Sequence, residues 1–225
     1  MKGLKYLIAI THREYLERYL EFFREHNIPR LTYNLCYGTA SEKMLSYLGI
    51  DNNDKVMIET IVTETEVKQL EKDFYLELDI GAQGNGLAVF VPIDGVGGAS
   101  SLKHFVGDKE FSKEKEEMSQ ESKNVLIITI VDKGNTDLVM DCARQAGASG
   151  GTVVKAQGTG AEIAKFFGVS ITEEKEMVYI VSSRKDRDAI MHAIMDKAGA
   201  KTDAHGIVFS LPVDKVVGIK HFEEI

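Results

Sequence analysis

Apolar residues along this chain fall into two kinds of segment. Short, nearly continuous β-branched runs such as residues 124–131 (NVLIITIV) predict buried strands, and runs with apolar residues at three- and four-residue spacing predict amphipathic helices. In the second half of the chain the pattern predicts strands at 124–131, 152–157, 176–182 and 206–213. It also predicts a helix that Thr136 caps and that runs to about Gly147, and a second helix at 186–198. The first half predicts strands at 5–10, 31–37, 56–63 and 86–93, with helices at 13–26 and 66–78. Each half therefore has the order β-α-β-β-α-β.

The two halves also share residues at a constant spacing. Gly38-Thr39 recurs as Gly158-Thr159, and Pro92 and Asp94 recur as Pro212 and Asp214, always 120 positions later. This period is well above the roughly 20–50 residues of stacked solenoid units, so it indicates two duplicated domains. We predict repeat one at residues 1–105, a charged linker at 106–122 and repeat two at 123–225.

The element order predicts an α+β fold. A β-α-β-β-α-β unit forms a ferredoxin-like sandwich, in which one antiparallel sheet carries both helices on one face. The chain is thus predicted to hold two tandem sandwiches of this kind. Because its strands are apolar in nearly continuous runs, we expect both faces of each sheet to be covered, the second by another copy of the module. An oligomer follows from that expectation.

Composition narrows the choice of partners. The formal net charge of −8 argues against general nucleic-acid binding, which needs a basic surface. No apolar run approaches a membrane span, and the N-terminal apolar run lacks a cleavage pattern and aligns with an interior strand, so we expect a cytoplasmic protein without membrane insertion. Cys36 and Cys142 are predicted to be buried thiols rather than a disulfide or metal pair.

The segment between the second and third strands of repeat two carries the candidate chemistry. It is far longer than a hairpin turn requires, and such loops are typically functional. Gly158-Thr159-Gly160 is either a plain turn or a place where backbone amides approach an anion. Phe166 and Phe167, with Ile163, lie at helical spacing and predict either a short helix packed on its own sheet or an apolar docking surface.

No catalytic motif or metal-ligand spacing is present in the sequence. There is no GxSxG, HExxH or P-loop, and the six histidines have no ligand-like spacing. We therefore predict no catalytic residues, no metal site and no enzymatic activity.

Repeat two resembles the PII nitrogen-regulatory signalling proteins, with a shortened T-loop. The run 151–158 is similar to the end of the second strand leading into the family's T-loop, and the run 206–216 is similar to its B-loop exit and last strand. Two positions differ from the family: Ile207 replaces a lysine that follows the B-loop glycine, and Gly218 replaces an arginine.

The resemblance implies a trimeric, non-enzymatic sensor. In the family, ATP or ADP binds in clefts between subunits, and the T-loop docks on a transporter or metabolic enzyme. Carried over to this chain, loop 158–175 is expected to contact the partner through Phe166 and Phe167. The ligand-binding residues are then expected to be Lys155, Gly158, Thr159, Gly160, Gly206 and Lys220.

Other regulators on the same fold stay open as alternatives. A tandem ACT-like amino-acid sensor or a CutA-like metal-binding trimer would also explain the duplication. An acylphosphatase-like enzyme is disfavoured, because the loop after strand 124–131 has Lys133 where that chemistry needs an arginine.

Overall fold

The computed structural model describes residues 4–28, 31–39, 53–82, 85–93, 122–158, 164–166, 169–171 and 173–218. Four α-helices lie within these residues: α1 (Leu16–Glu25), α2 (Glu64–Leu76), α3 (Thr136–Gln145) and α4 (Arg187–Ala198). A single 3-10 turn, Arg13–Tyr15, precedes α1. The strands are β1 (Leu4–His12), β2 (Thr32–Gly38), β3 (Asp54–Thr63), β4 (Leu87–Pro92), β5 (Asn124–Asp132), β6 (Thr152–Gly158), β7 (Ala164–Phe166), β8 (Val169–Ile171), β9 (Glu173–Ser183), β10 (Ile207–Val213) and β11 (Lys215–Val217). The predicted linker at 106–122 lies outside the described residues except for Ser122.

The chain folds into two compact units that interleave along the sequence. Unit 1 comprises Met1–Leu35, Asp54–Asn124 and Pro212–Ile225, and unit 2 comprises Cys36–Asn53 and Val125–Leu211. Each unit thus contains most of one predicted repeat together with a short segment of the other. The predicted domain boundaries remain a prediction about the sequence repeats.

Unit 1 has the strand order β2-β3-β1-β4-β11. β1 pairs antiparallel with β3 on one side and β4 on the other. Leu7 and Ala9 of β1 belong to one core cluster with side chains of both helices, so α1 and α2 cover the same face. Ile8 and Ile10 on the other face are buried as well. Both faces of this strand are therefore buried, as its continuous apolar run predicts, while cover by another copy of the module stays a prediction.

Unit 2 repeats the arrangement with the order β10-β5-β9-β6-β2, in which β2 contributes its last residues. β6 and β9 pair antiparallel from Thr152↔Tyr179 to Gly158↔Glu173. Val139 of α3 and Ile194 of α4 share a core with Val178 of β9. The predicted α+β class with antiparallel sheets is confirmed, and both cysteines are buried.

Local capping chemistry accounts for the start of α2. Thr63 precedes α2 and forms a capping box with Glu66, in which the Thr63 side chain and the Glu66 side chain each satisfy a backbone N–H of the first turn. The prediction that Thr136 caps α3 is wrong. Asn135 occupies the cap position, and Thr136 is the first helical residue, with its hydroxyl bonded elsewhere.

The segment that follows β10 completes the sheet of unit 1. β11 pairs antiparallel with β4 from Lys215↔Phe90 to Val217↔Ala88. Asp214, just before β11, is paired with the buried Lys5 of β1. Gly218 follows with a φ of 87°, and a Cβ placed there would lie 2.5 Å from the Gly86 carbonyl oxygen. The C-terminal strand is thereby fixed by pairing, charge and a close backbone contact.

Replacing Gly218 with alanine is expected to destabilise the protein by about 2–3 kcal/mol, because the left-handed backbone and the contact with Gly86 both oppose a Cβ. Gly134 provides a matched control, since its φ is 90° but a Cβ added there would have no atom within 4 Å. Its alanine variant should lose only about 1 kcal/mol. Urea unfolding monitored by circular dichroism measures both. Equal losses in the two variants would contradict the close contact at Gly218.

Candidate functional site

The long loop of unit 2 begins and ends at one strand pair. Gly158 of β6 faces Glu173 of β9, and residues 159–172 lie between them. Within this loop, β7 and β8 form a small antiparallel hairpin from Ala164↔Ile171 to Phe166↔Val169. The alternative of a short helix through Ile163, Phe166 and Phe167 is therefore wrong at Phe166, which lies in a strand. Thr159, Gly160 and Phe167 lie outside the described residues.

Two charged side chains and a histidine meet where this loop joins the sheet, and we call Asp132, Lys175 and His205 the loop-root cluster. Asp132 accepts a hydrogen bond from Lys175 through one carboxylate oxygen. Its other oxygen accepts one from His205 Nδ1 at 2.8 Å. The His205 side chain is 64% exposed, whereas those of Asp132 and Lys175 are 32% and 20% exposed. The cluster is thus anchored on the sheet and open to solvent at the histidine.

Each member of the loop-root cluster comes from a different strand end. Asp132 is the last residue of β5, and the following Lys133 N–H donates to the Glu174 carbonyl of β9 at 3.1 Å. This bond places Lys175 beside Asp132. His205 has a φ of 46°, in the left-handed region that non-glycine residues seldom adopt. Its backbone N–H donates to the Thr202 carbonyl at 3.0 Å, which fixes the turn that presents the ring.

The cluster favours ionised Asp132. Hydrogen bonds from Lys175 and then His205 hold the pKa of Asp132 below its usual range, although burial acts in the opposite sense. Unit 1 has His12 and Lys55 at the positions 120 residues earlier than Asp132 and Lys175. There the Lys55 amine lies 2.8 Å from His12 Nε2, and burial followed by the Lys55 charge lowers the pKa of His12. Only unit 2 therefore has a carboxylate at this position.

Glu176 forms the second polar feature of the site and directly follows Lys175 on β9. The residue is buried, and one carboxylate oxygen accepts hydrogen bonds from the Thr136 hydroxyl at 2.6 Å and the Gly134 N–H at 3.1 Å. The other oxygen accepts from the Tyr37 hydroxyl at 3.0 Å. These four groups form what we call the Glu176 network. It ties β9 to the start of α3 and to the end of β2.

The pKa of Glu176 follows from this network. Burial alone would raise the pKa of a carboxyl group, but hydrogen bonds from Thr136, the Gly134 N–H and Tyr37, with the charge of Lys155, together lower the pKa of Glu176. A buried carboxylate with three donors is costly to disturb. The strand that carries Lys175 is accordingly held in place by the residue next to it.

The other predicted ligand residues differ in their surroundings. Lys155 is exposed on β6 and faces Glu176 in the strand register. A Cβ at Gly206 would lie 1.9 Å from the Ala198 carbonyl oxygen, so helix packing accounts for a glycine at this position. Gly158 is the last residue of β6. Lys220 lies outside the described residues. Their role in binding remains a prediction.

Residues from repeat one also contribute to unit 2, and sequence patterns did not indicate this. Tyr37 belongs to the Glu176 network, and Thr39 pairs with the backbone of Gly151. The Thr39 N–H donates to the Gly151 carbonyl at 3.1 Å, and the Gly151 N–H donates to the Thr39 hydroxyl at 2.9 Å. Arg144 of α3 donates to the Thr39 carbonyl. The Gly38-Thr39 motif therefore has a structural role, which periodicity alone does not reveal.

Comparison with known proteins finds a family match for the second half of the chain. Residues 113–223 match the family model described as Nitrogen regulatory protein P-II. No curated protein sequence matches the chain. Among solved structures, Arabidopsis thaliana PII bound to citrate is 22% identical, with 41% of this chain and 77% of that chain covered and a TM-score of 0.33. The B. subtilis GlnK–ATP complex is 15% identical, with coverages of 43% and 84% and a TM-score of 0.32. An unknown protein from Galdieria sulphuraria is 8% identical, with coverages of 93% and 97% and a TM-score of 0.27.

The family match covers about half of the chain. The architecture is an α+β fold with antiparallel sheets, and the matched family model describes nitrogen regulatory proteins. The second half of this chain, at residues 113–223, is similar to the nitrogen regulatory protein P-II family. Among the described helices, none is long and apolar enough to cross a membrane.

Proposed function

We propose that this protein is a PII-type sensor in which a small anionic effector binds at the loop root of unit 2. Effector binding would then change the order of loop 158–175 and so control a partner protein. The observation that supports this proposal most is the loop-root cluster. In this cluster Lys175, at the end of the loop, and His205, next to Gly206, both lie within hydrogen-bond distance of the Asp132 carboxylate.

The proposed mechanism is an exchange of partners. A phosphate or carboxylate of the effector takes the place of Asp132 as acceptor for Lys175 and His205, since charge-assisted hydrogen bonds to an anion are the strongest available to these groups. Backbone amides at the glycine-rich start of the loop supply further donors. The residues proposed to form this cleft, in addition to the cluster, are Lys155, Gly158, Thr159, Gly160, Gly206 and Lys220. If the effector binds one state of the loop more tightly than another, its binding increases the population of the first state.

Several finer features of the proposal come from the family. ATP or ADP is the first effector to test, and a transporter or metabolic enzyme is the kind of partner expected in the cytoplasm. Phe166 and Phe167 are the proposed docking residues, in and next to β7. In the family, three modules form a ring. Three tandem chains, with two modules each, would therefore form two such rings. A monomer in solution would contradict this assembly.

The deciding measurement is a calorimetric titration of the full chain with ATP and ADP, with and without Mg²⁺. We expect saturable binding with a Kd on the order of micromolar. Absence of heat at millimolar nucleotide would reject adenine nucleotides, and other anions would then be titrated in the same way. A loss of the binding signal in both Gly158→Val and Gly160→Val variants would support the loop start as part of the site.

The partner-exchange mechanism is tested by charge variants of the cluster. Lys175→Ala should weaken effector binding about tenfold or more, because one charge-assisted hydrogen bond is lost. Asp132→Asn should strengthen binding, because it removes the carboxylate that competes with the effector. Lys185→Ala is the matched control, an exposed lysine beyond the other end of β9, and should bind like the wild type. Weaker binding in Asp132→Asn would contradict the exchange.

A further inference from the structure

A second cluster of possible ligand atoms lies in unit 1, away from the loop root. His26 follows α1, while Asp73 lies in α2 and Glu77 directly follows that helix. His26 Nε2 is 3.0 Å from an Asp73 carboxylate oxygen and 3.9 Å from a Glu77 carboxylate oxygen. One ligand atom from each of the three residues lies within 4.8 Å of the others. We call these residues the helix-pair cluster.

The tautomer of His26 makes this cluster more than an acidic patch. His26 Nδ1 lies 2.8 Å from the Phe22 carbonyl oxygen. A carbonyl can only accept, so Nδ1 carries a proton and donates it. In the neutral ring, Nε2 then holds a lone pair that faces two carboxylate acceptors. A cation is needed between these groups, either a second proton on the ring or a metal ion. Fixing one ring nitrogen on a backbone carbonyl is also how metal-binding histidines are usually oriented.

Two of the ligand-atom spacings are close to those of a small transition-metal site. Donor atoms at about 2.0–2.1 Å from a tetrahedral Zn²⁺ lie about 3.3 Å from one another. The two distances from His26 Nε2, 3.0 and 3.9 Å, fall on either side of that value, and all three donors lie within 4.8 Å of one another. Asp73 and Glu77 are four residues apart and therefore project from the same side of α2.

The positions 120 residues later provide an internal comparison. They are occupied by Ala146, Ala193 and Lys197. The two alanines have no atom that could bind a metal, and the lysine carries a positive charge that would repel one. Buried positions on α2 and α4 follow the same spacing, since Leu70 and Phe74 correspond to Ile190 and Ile194. Unit 2 thus builds the same helix pair without this cluster. Packing of the helices does not require a histidine and two carboxylates here.

We propose that His26, Asp73 and Glu77 form a binding site for a first-row divalent transition metal, with Zn²⁺ as the preferred ion. One imidazole nitrogen and two carboxylate oxygens are a ligand set that Zn²⁺ accepts, and solvent supplies the remaining position. The Glu77 side chain is 44% exposed, so an ion reaches the site from solvent. This site is independent of the proposed effector site, and either can fail without the other.

The test uses the full chain after treatment with a chelator and dialysis. Titration with Zn²⁺ in a calorimeter should give one equivalent per chain, and Co²⁺ should give visible d–d absorption bands. His26→Gln should weaken Zn²⁺ binding more than about 100-fold, because loss of even an outer-shell partner typically costs 10–100-fold. Asp73→Asn should also weaken it. His192→Gln is the matched control, a histidine on α4 beside Asp188, and should leave the titration unchanged.

Two outcomes would overturn the proposal. The first is an absence of saturable Zn²⁺ binding, which would leave the cluster as an imidazolium–carboxylate pair. The second is one-equivalent binding that persists in both His26→Gln and Asp73→Asn, which would locate the metal elsewhere. Glu77→Gln serves as a third variant if either of the first two fails to fold, since its partly exposed side chain tolerates replacement. Circular dichroism verifies the fold of each variant.

Discussion

Replacing Glu176 with alanine is expected to lower the free energy of unfolding by about 3 kcal/mol. The change leaves three donors, from Tyr37, Gly134 and Thr136, without their buried acceptor. Unsatisfied buried donors cost about 1–3 kcal/mol each when water does not replace the partner. Glu176→Gln should cost less, about 1–2 kcal/mol, because its amide oxygen still accepts from Thr136 and Gly134. Urea unfolding followed by circular dichroism measures these differences.

Glu174 provides the matched control for Glu176. It lies on the same strand, but its side chain is 61% exposed and pairs with Lys133 on the surface. Surface ion pairs contribute little to stability, so Glu174→Ala should have a much smaller effect than Glu176→Ala. Equal losses in the two alanine variants would show that the Glu176 network does not hold β9.

The dependence of the free energy of unfolding on pH, at acidic pH, provides a second test of the contribution of Glu176. The pKa of Glu176 is lowered in the folded state from an ordinary value of 4.5, so its contribution is fully present above pH 4.5. That contribution is lost as the pH falls below 4.5 through the folded-state pKa. Glu176→Gln has no proton to bind at this position. Its stability should therefore fall less steeply than that of the wild type in this range.

Replacing Phe74 with alanine is expected to destabilise the protein by about 3–5 kcal/mol, the range typical of large aromatic side chains in a core. Phe74 is fully buried on α2. Its ring lies 5.0 Å from that of Phe22 and 6.5 Å from that of Phe90, measured between centroids. Deleting the ring leaves a cavity between both helices and the sheet of unit 1. Thermal and urea unfolding should both report the loss.

Leu76 is the control for Phe74, two residues further along the same helix. Its side chain is 68% exposed, so Leu76→Ala removes a large apolar group without opening a cavity. We expect a change within about 0.5 kcal/mol. A loss in Leu76→Ala comparable with that in Phe74→Ala would indicate that the helix as a whole, rather than the core contact, is responsible.

Local patterns were sufficient to predict the α+β fold class and most of the helices and strands. Continuous apolar runs predict strands such as β5. The spacing of Leu70 and Phe74 predicts the buried face of α2, because apolar residues on the buried side of a helix recur every three or four positions. The prediction failed at Phe166, where a three-residue strand is too short to show any period. It also failed at Thr136, since the sequence does not reveal that its hydroxyl meets Glu176 instead of the helix start.

The polar sites were harder to predict, because their members are far apart along the chain. The sequence singled out Lys155, Gly158 and Gly206, but Asp132 and His205 become partners only when β5 and the turn before β10 meet. His26 and Asp73 are separated by 47 positions, and no spacing rule for metal ligands covers such a pair. Tertiary pairing of strands and helices, rather than local chemistry, brings these groups together.

The position of β11 has a consequence for how the protein is made. Lys215–Val217 leaves the ribosome long after its pairing partner, β4, because the two strands are far apart in the sequence. During that interval β4 has an open edge, which is a template for unwanted pairing with other chains. Closing the edge depends on a contact between distant parts of the sequence, and such contacts slow folding. Unit 1 therefore finishes folding only after β11 has been synthesised, so the nascent chain carries the aggregation-prone edge of β4 while residues 125–211 of unit 2 are being made.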